Sequence, residues 1–283
     1  MLGLQTVLLE KPAEGIARIV LNRPEARNAQ NYQLIYDLVA AFNHVGQDNQ
    51  IKVIILAGAG PHFSSGHDLR ELRTLDEDRP YDRFSPISGW GGFDEPGAAG
   101  LFAREQEIYM EAVKRWRNLP KPTIAQVQGK CIAGGLMLAW ACDLIVASED
   151  AEFSDPVVQW GVCGVEWFAH PWELGPRKAK EMLFTGDSWS AQEAREFGMV
   201  NQVVAPQDLE DFTLGLAKKI ASKPMFGLRM TKEAVNRTMD IMGQTNAIDS
   251  VFGLHHVCHA YSRESGMSAA KRPASELVGR KTD

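Results

Sequence analysis

Two short stretches of the chain could present backbone N–H groups to a ligand. SSGHD (residues 64–68) is typical of a turn from a strand into a helix, and IAGGL (residues 132–136) begins an apolar helix. N–H groups in the first turn of a helix have no intrahelical partner, and the helix dipole favours negative charge there. Gly134 would let the backbone approach a bound molecule closely. Such donors could stabilise an oxyanion or enolate that develops on a carbonyl oxygen.

Acid–base chemistry would need a titratable side chain beside those donors. The segment GVCGVEWFAHPWELG (161–175) supplies Glu166, His170 and Glu173. Glu166 lies between two apolar residues, where burial would raise the pKa of its carboxyl group. A structural salt bridge is the alternative role for Glu166, and His170 is a weaker candidate. The side chain of His67 could also point into the pocket.

Alternating strands and helices must position these groups. Strands are predicted for TVLLEK, GIARIVLNRP, IKVIILAGAG, TIAQVQG and DLIVAS. Helices are predicted for YQLIYDLVAAFNHVGQD, for DLRELRTL, and for residues 103–118 and 133–141. From about residue 175 the pattern predicts helices only, ending with a long segment from Met225 to about His259. This order predicts an α/β core followed by a helical C-terminal region.

Composition and charge exclude several classes of protein. The 283 residues are 45% hydrophobic and 23% charged, which is typical of a globular protein. A formal net charge of -6 argues against a nucleic-acid-binding protein, because such proteins carry a basic surface. No apolar run reaches roughly 18 residues, so no membrane span is expected. The four cysteines lack CxxC spacing and the N-terminus lacks signal-peptide features, which favours a cytoplasmic protein with reduced thiols.

The run LHHVCHA (254–260) raises the question of a metal site. His255 and His259 are four residues apart and would share one face of a helix. No glutamate in an HExxH arrangement accompanies them. We therefore expect a packed or exposed helix face here, and no metal site.

Four phrases, taken together, resemble the crotonase superfamily, the enoyl-CoA hydratase/isomerase family. They are IVLNRPEARNA (19–29), GPHFSSGHDLREL (60–72), GKCIAGGLMLAWACDLIVAS (129–148) and FTGDSWSAQEAREFGMVNQVV (184–204). The resemblance implies a spiral of ββα units over residues 1–205 and a helical region over 206–283 that supports a homotrimer or a dimer of trimers. It also implies an acyl-CoA thioester as substrate, with coenzyme A entering as part of the substrate and no further cofactor.

The resemblance assigns site residues by their position in these motifs. The two oxyanion donors are the N–H groups of His67 and Gly134. The backbone around Ala26 and Asn28 would line the pocket for the CoA nucleotide. The full set of implied substrate-binding residues is Ala26, Asn28, His67, Asp68, Leu69, Arg70 and Gly134. A helix cap is the favoured role of Asp68, and Arg70 could meet a phosphate or solvent.

The chain departs from the family at both usual catalytic glutamates. Those positions hold Met137 and Val157, which cannot carry a proton. The expected activity is therefore an acyl-CoA reaction of the hydratase/isomerase type with unconventional acid–base residues, and Glu166 is the candidate. A thioester hydrolase or lyase that uses Glu166, and a catalytically silent acyl-CoA-binding protein, are the alternatives.

Overall fold

The computed structural model describes residues 2–71 and 86–268. The strands are β1 (Val7–Ala13), β2 (Ile16–Leu21), β3 (Val53–Gly58), β4 (Thr123–Val127), β5 (Lys130–Ile132), β6 (Leu144–Ser148), β7 (Glu152–Ser154), β8 (Trp189–Ser190) and β9 (Gln202–Val204). The helices are α1 (Tyr32–Gln47), α2 (Gly97–Glu105), α3 (Ala112–Arg117), α4 (Gly134–Trp140), α5 (His170–Thr185), α6 (Ala191–Glu196), α7 (Leu209–Ala221), α8 (Met225–Ile241) and α9 (Gln244–Glu264).

The strands form two sheets, and from β4 to β7 successive strands alternate between them. The larger sheet has the order β1-β2-β3-β4-β6-β9, and the smaller has the order β5-β7-β8. In the units β4-β5-α4 and β6-β7-α5, the first strand joins the larger sheet and the second joins the smaller. From β2 to β9 the larger sheet is parallel, and β1 is its antiparallel edge. This repetition confirms the predicted ββα spiral.

Both faces of the larger sheet are covered, which explains its apolar strands. Every residue of β2 and β4 is buried, as expected for parallel strands between two layers. Helix α1 packs Leu34, Leu38 and Phe42 into the main core. Helix α7 covers the opposite face through Leu209 and Ala217. The carboxyl ends of the parallel strands thus carry the loops that form the site.

The prediction of helices only beyond about residue 175 is wrong. Strands β8 and β9 lie in that part of the chain, and both are too short to give a clear alternating pattern. The long predicted segment from Met225 is two helices, α8 and α9, which meet at Gly243. The helix predicted from Leu69 falls mostly outside the described residues.

The helix predicted over residues 103–118 begins earlier and contains an irregular turn. Helices α2 and α3 are joined by a π-helical segment, Gln106–Glu111, into one continuous rod. Such π turns are rare and occur often at functional sites. This segment places Tyr109 in the interior.

Helix α9 follows the α/β core in the chain, but it also packs side chains into that core. Its side chains Ile248, Phe252 and His255 are buried, and the first two belong to the main core. The predicted boundary between residues 1–205 and 206–283 stays a prediction, but the helices after it complete the core. Within the described ranges, no helix is long and apolar enough to cross a membrane.

Candidate active site

The turn at Gly66 exposes the N–H group of His67. Gln30 pairs with this turn, since its N–H donates to Gly66 O at 2.7 Å and its carbonyl accepts from Asp68 N at 2.9 Å. In this parallel pairing the N–H of His67 points away from Gln30. Gly66 has a φ of +88°, which a residue with a side chain rarely adopts. The pairing therefore frees one donor on the side that faces helix α4.

The N–H group of Gly134 is the first of helix α4. Ala133 precedes it with a φ of 49° and a ψ of −113°, a strained conformation for a residue other than glycine. A Cβ on Gly66 would lie 3.2 Å from the amide nitrogen of Gly134, so the two turns are in contact. Across the described part of the chain, neither the His67 nor the Gly134 N–H has an acceptor. The two donors predicted for an oxyanion therefore belong to adjacent turns.

The imidazole of His67 covers Gly134. A Cβ placed on Gly134 would lie 2.6 Å from Cδ2 and 2.7 Å from Nε2 of His67. The other side of the imidazole stacks on Tyr109, with ring centroids 4.0 Å apart and an interplanar angle of 13°. The side chain of His67 is thus held between the helix α4 terminus and the π turn, beside the two donors.

Glu166 lies against that imidazole. Its Oε2 is 3.6 Å from His67 Nε2, and its Oε1 is 3.4 Å from His255 Nε2. The residue is 3% exposed. Burial raises the pKa of Glu166, as the sequence predicts, but His67 and His255 outweigh burial and lower the pKa below its ordinary value. The expectation of a raised pKa was therefore wrong, and Glu166 is an ionised carboxylate at neutral pH.

A second buried carboxylate lies on the far side of His255. Glu105 approaches the Nε2 atoms of three histidines, at 3.7 Å for His255, 3.1 Å for His256 and 3.4 Å for His259. Burial alone would raise the pKa of Glu105, but these histidines lower it well below the ordinary value. Burial lowers the pKa of His255, but the two carboxylates raise it more strongly, so the pKa of His255 lies well above its ordinary value. The histidine run is therefore not merely a packed or exposed helix face, because its rings converge on a buried acid.

Asn28 and Ala26 occupy different positions in the turn before α1. Asn28 is fully buried, and its side chain accepts from Arg23 N at 2.9 Å and donates to the carbonyls of Ala59 and His62. Its side chain thus joins two loops and has no polar atom to spare for a ligand. Ala26 is half-buried. The predicted contact with the CoA nucleotide would come from Ala26 and the neighbouring backbone.

Asp68 and Arg70 lie on the turn that follows His67. Asp68 accepts from the N–H of Arg70 at 3.1 Å, so it caps this turn, and it also pairs with Arg23 at 2.9 Å. Leu69 is half-buried and Arg70 is exposed. The predicted contacts of Leu69 and Arg70 with the pantetheine arm stay predictions.

His170 serves the fold. Its Nε2 is 2.9 Å from Asp155 Oδ2, which also accepts from Val165 N, and both side chains are fully buried. This pair fixes the loop that carries Glu166. Glu173 has no part in this pair. Burial raises the pKa of its carboxyl group to about 7, although Arg117 opposes the shift.

Met137 and Val157 are buried apolar side chains. Neither position supplies an acid or a base, as the sequence predicts. The titratable side chains beside the donors are instead Glu166 and His67. Sequence reasoning missed Glu105, Tyr109 and the inward direction of His255, because each lies on a helix far along the chain from the motifs.

Comparisons with known proteins show relatives that match most of the chain. The sequence profile of the family described as enoyl-CoA hydratase/isomerase matches residues 11–86 and 97–275. The chain is 46% identical over 247 residues to EchA13 of Mycobacterium tuberculosis, which carries the enoyl-CoA hydratase name, covering 87% of this chain and 78% of that protein. It is 31% identical over 268 residues to the 1,2-epoxyphenylacetyl-CoA isomerase of Escherichia coli, covering 94% and 92%. A crystal structure from Mycobacterium smegmatis, described as an enoyl-CoA hydratase, superimposes with a TM-score of 0.81 at 46% identity, covering 92% and 97%.

Proposed function

Since the chain belongs to the enoyl-CoA hydratase/isomerase family, we propose that it moves a double bond within an enoyl-CoA thioester. Family membership makes the chain an acyl-CoA-processing enzyme. The observation that carries the finer proposal is the position of Glu166. This ionised, buried carboxylate faces His67 beside the two free N–H donors.

The proposed reaction needs one base and one oxyanion site. The thioester oxygen accepts hydrogen bonds from the N–H groups of His67 and Gly134. Glu166 takes the proton from C2 of a 3-enoyl thioester, and the electron pair delocalises onto the thioester oxygen as a dienolate. The protonated carboxyl group then returns the proton to C4, which gives the 2-enoyl thioester. Atoms and electrons balance without any co-reactant.

Each part of the site has an expected magnitude. One N–H donor to a developing oxyanion typically contributes about 2.7–4 kcal/mol to lowering the barrier. A positioned base contributes roughly 10²–10⁴-fold in rate. A single carboxylate can serve both proton transfers of an isomerisation. Hydration would also require a group that activates water, and both positions that the family uses for hydration are apolar here.

We also propose that the chain works in the cytoplasm as a homotrimer or a dimer of trimers. Large apolar side chains lie exposed on the last two helices and the turn between them, which supports an interface there. They include Phe226, Ile241, Met242, Leu254 and Val257. Exposed apolar side chains that cluster on one region mark association surfaces.

A substrate panel tests the proposed reaction. The purified full-length chain is offered saturated, 2-enoyl and 3-enoyl CoA thioesters, while absorbance of the conjugated thioester and release of free CoA are followed. The proposal expects conjugation to appear from the 3-enoyl substrate without CoA release. CoA release would instead identify a thioester hydrolase, and tight binding without any turnover would identify a silent acyl-CoA binder. Either result overturns the proposal.

A further inference from the structure

Four ligand atoms from three distant segments converge on one point beside the candidate active site. Glu105 ends helix α2, Glu166 lies in the loop before α5, and His255 and His259 lie one turn apart on α9. One nitrogen or oxygen atom from each lies within 4.8 Å of the others. Three of these side chains are buried, and His259 is partly exposed. The cluster thus has an interior part and a route to solvent.

The orientation of His255 requires either a proton or a metal ion at its Nε2. His255 Nδ1 is 2.8 Å from the carbonyl oxygen of Gly164, which can only accept, so the Nδ1 atom carries a proton. In a neutral ring the Nε2 lone pair then points at two carboxylates. That arrangement is repulsive unless a proton or a metal ion lies between them. Metal-bound histidines usually donate their other N–H to a carbonyl or a carboxylate in this way.

The separations suit a metal ion better than hydrogen bonds. Charge-assisted N–H···O bonds are about 2.7–2.9 Å long, whereas His255 and His259 lie 3.4–3.7 Å from the carboxylate oxygens. In a tetrahedral zinc site with bonds of about 2.0–2.1 Å, neighbouring ligand atoms are about 3.3 Å apart. The histidine–carboxylate separations are close to this spacing, whereas ligand atoms up to 4.8 Å apart would have to move together by about 1.5 Å when the ion binds. Within the described residues, Glu105 Oε2, His255 Nε2 and His259 Nε2 are buried without a well-aligned hydrogen bond.

We propose that Glu105, Glu166, His255 and His259 form a binding site for a divalent transition-metal ion of the Zn²⁺ class. Two imidazole nitrogens with two carboxylate oxygens match the ligand preference of zinc, whereas magnesium and calcium take oxygen ligands. His256 lies 3.1 Å from Glu105 and orients that carboxylate. This site replaces the expectation, drawn from the sequence alone, that the chain holds no metal.

The site would also control the activity proposed above, and this part rests on that proposed function. Glu166 turns one oxygen towards His255 and the other towards His67. A bound dication would attract the negative charge of the carboxylate and make it a weaker base. Zinc at this site is therefore an inhibitor of proton transfer, and removal of zinc restores the rate.

Zinc binding to the untagged, chelator-treated full-length chain tests the site. Calorimetric titration with zinc chloride at pH 7.5 should show one ion per chain. His259→Ala should weaken zinc binding by at least about 100-fold, beyond the usual 10–100-fold for an outer partner. His44→Ala, at an exposed histidine on α1, is the matched control and should bind like the unmodified chain. Cobalt in place of zinc should give the visible bands of a tetrahedral site, and H259A should lose them.

The outcomes separate the metal site from the reaction. Equal zinc affinity in the unmodified chain and H259A overturns the site, and Glu105→Gln provides a second variant if H259A fails to fold. Isomerisation by a chain that binds no zinc overturns the metal site alone. Zinc binding that leaves the isomerisation rate unchanged overturns the inhibitory link. Zinc binding by a chain that turns over no thioester contradicts the proposed function and supports the metal site.

Discussion

Replacement of Glu166 by glutamine removes the proposed base with little change in shape. The side chain keeps its length and one oxygen, and the neighbouring Glu105 still lies 3.7 Å from His255. The fold should therefore persist, while the group that accepts the proton is lost. We expect kcat to fall roughly 10²–10⁴-fold, which corresponds to about 2.7–5.4 kcal/mol in the barrier. The KM should change much less, since the N–H donors stay in place.

The assay follows formation of the conjugated thioester from 3-enoyl-CoA by the chelator-treated chain, and Tm is measured in parallel. Glu173→Gln is the matched control, because it makes the same chemical change at a half-buried glutamate whose charged neighbour is Arg117. E173Q should keep its rate. A Glu166→Gln variant that folds and retains more than about a tenth of the rate would refute the assignment of the base.

Four further predictions follow from the same contacts. Gly134→Ala adds a Cβ 2.6 Å from an imidazole carbon, so kcat should fall at least about tenfold in the same assay, and an unchanged kcat contradicts the close approach at this position. Asp155→Ala leaves His170 buried without its partner, and denaturant unfolding should show a loss of about 3–5 kcal/mol; a loss under 1 kcal/mol contradicts that pair. The pKa of Glu173 is raised to about 7, so its ionisation destabilises the fold as pH rises from 4.5 through 7. E173Q should then raise the free energy of unfolding at pH 8 by at most about 3 kcal/mol, which appears as a higher Tm, and this gain should vanish below pH 4. An equal gain at both pH values refutes the raised pKa. His255→Asn removes a cation that lowers the pKa of Glu166, so the fall of kcat/KM on the acidic side of its pH profile should begin at higher pH. An unchanged pH profile contradicts this coupling.

The donors of the site could be predicted from the sequence because they are local. Gly66 and Gly134 each belong to a motif of a few residues whose backbone geometry is determined by short-range sterics. The motifs also gave the order of strands and helices in the core, since each ββα unit is contiguous in the chain. The position of Glu166 between apolar residues correctly indicated a buried acid.

The electrostatics of the site could not be predicted in the same way. The pKa of Glu166 depends on His67 and His255, which lie about 90–100 residues away on either side. Only the docking of α9 against α2 reveals that the histidine run faces Glu105. Four short strands of the described structure, β5, β7, β8 and β9, and the π turn were missed, because two or three residues, or one irregular turn, leave no periodic signal.

Exchange of the α-proton tests the central claim most directly. A saturated acyl-CoA is incubated in D2O with the chelator-treated chain, and deuterium at C2 is measured by mass spectrometry. Removal of the C2 proton by Glu166 predicts deuterium incorporation by the unmodified chain and a loss of roughly 10²–10⁴-fold in Glu166→Gln. Binding of the thioester without incorporation, or equal incorporation by both proteins, would contradict the assignment of Glu166 as the base.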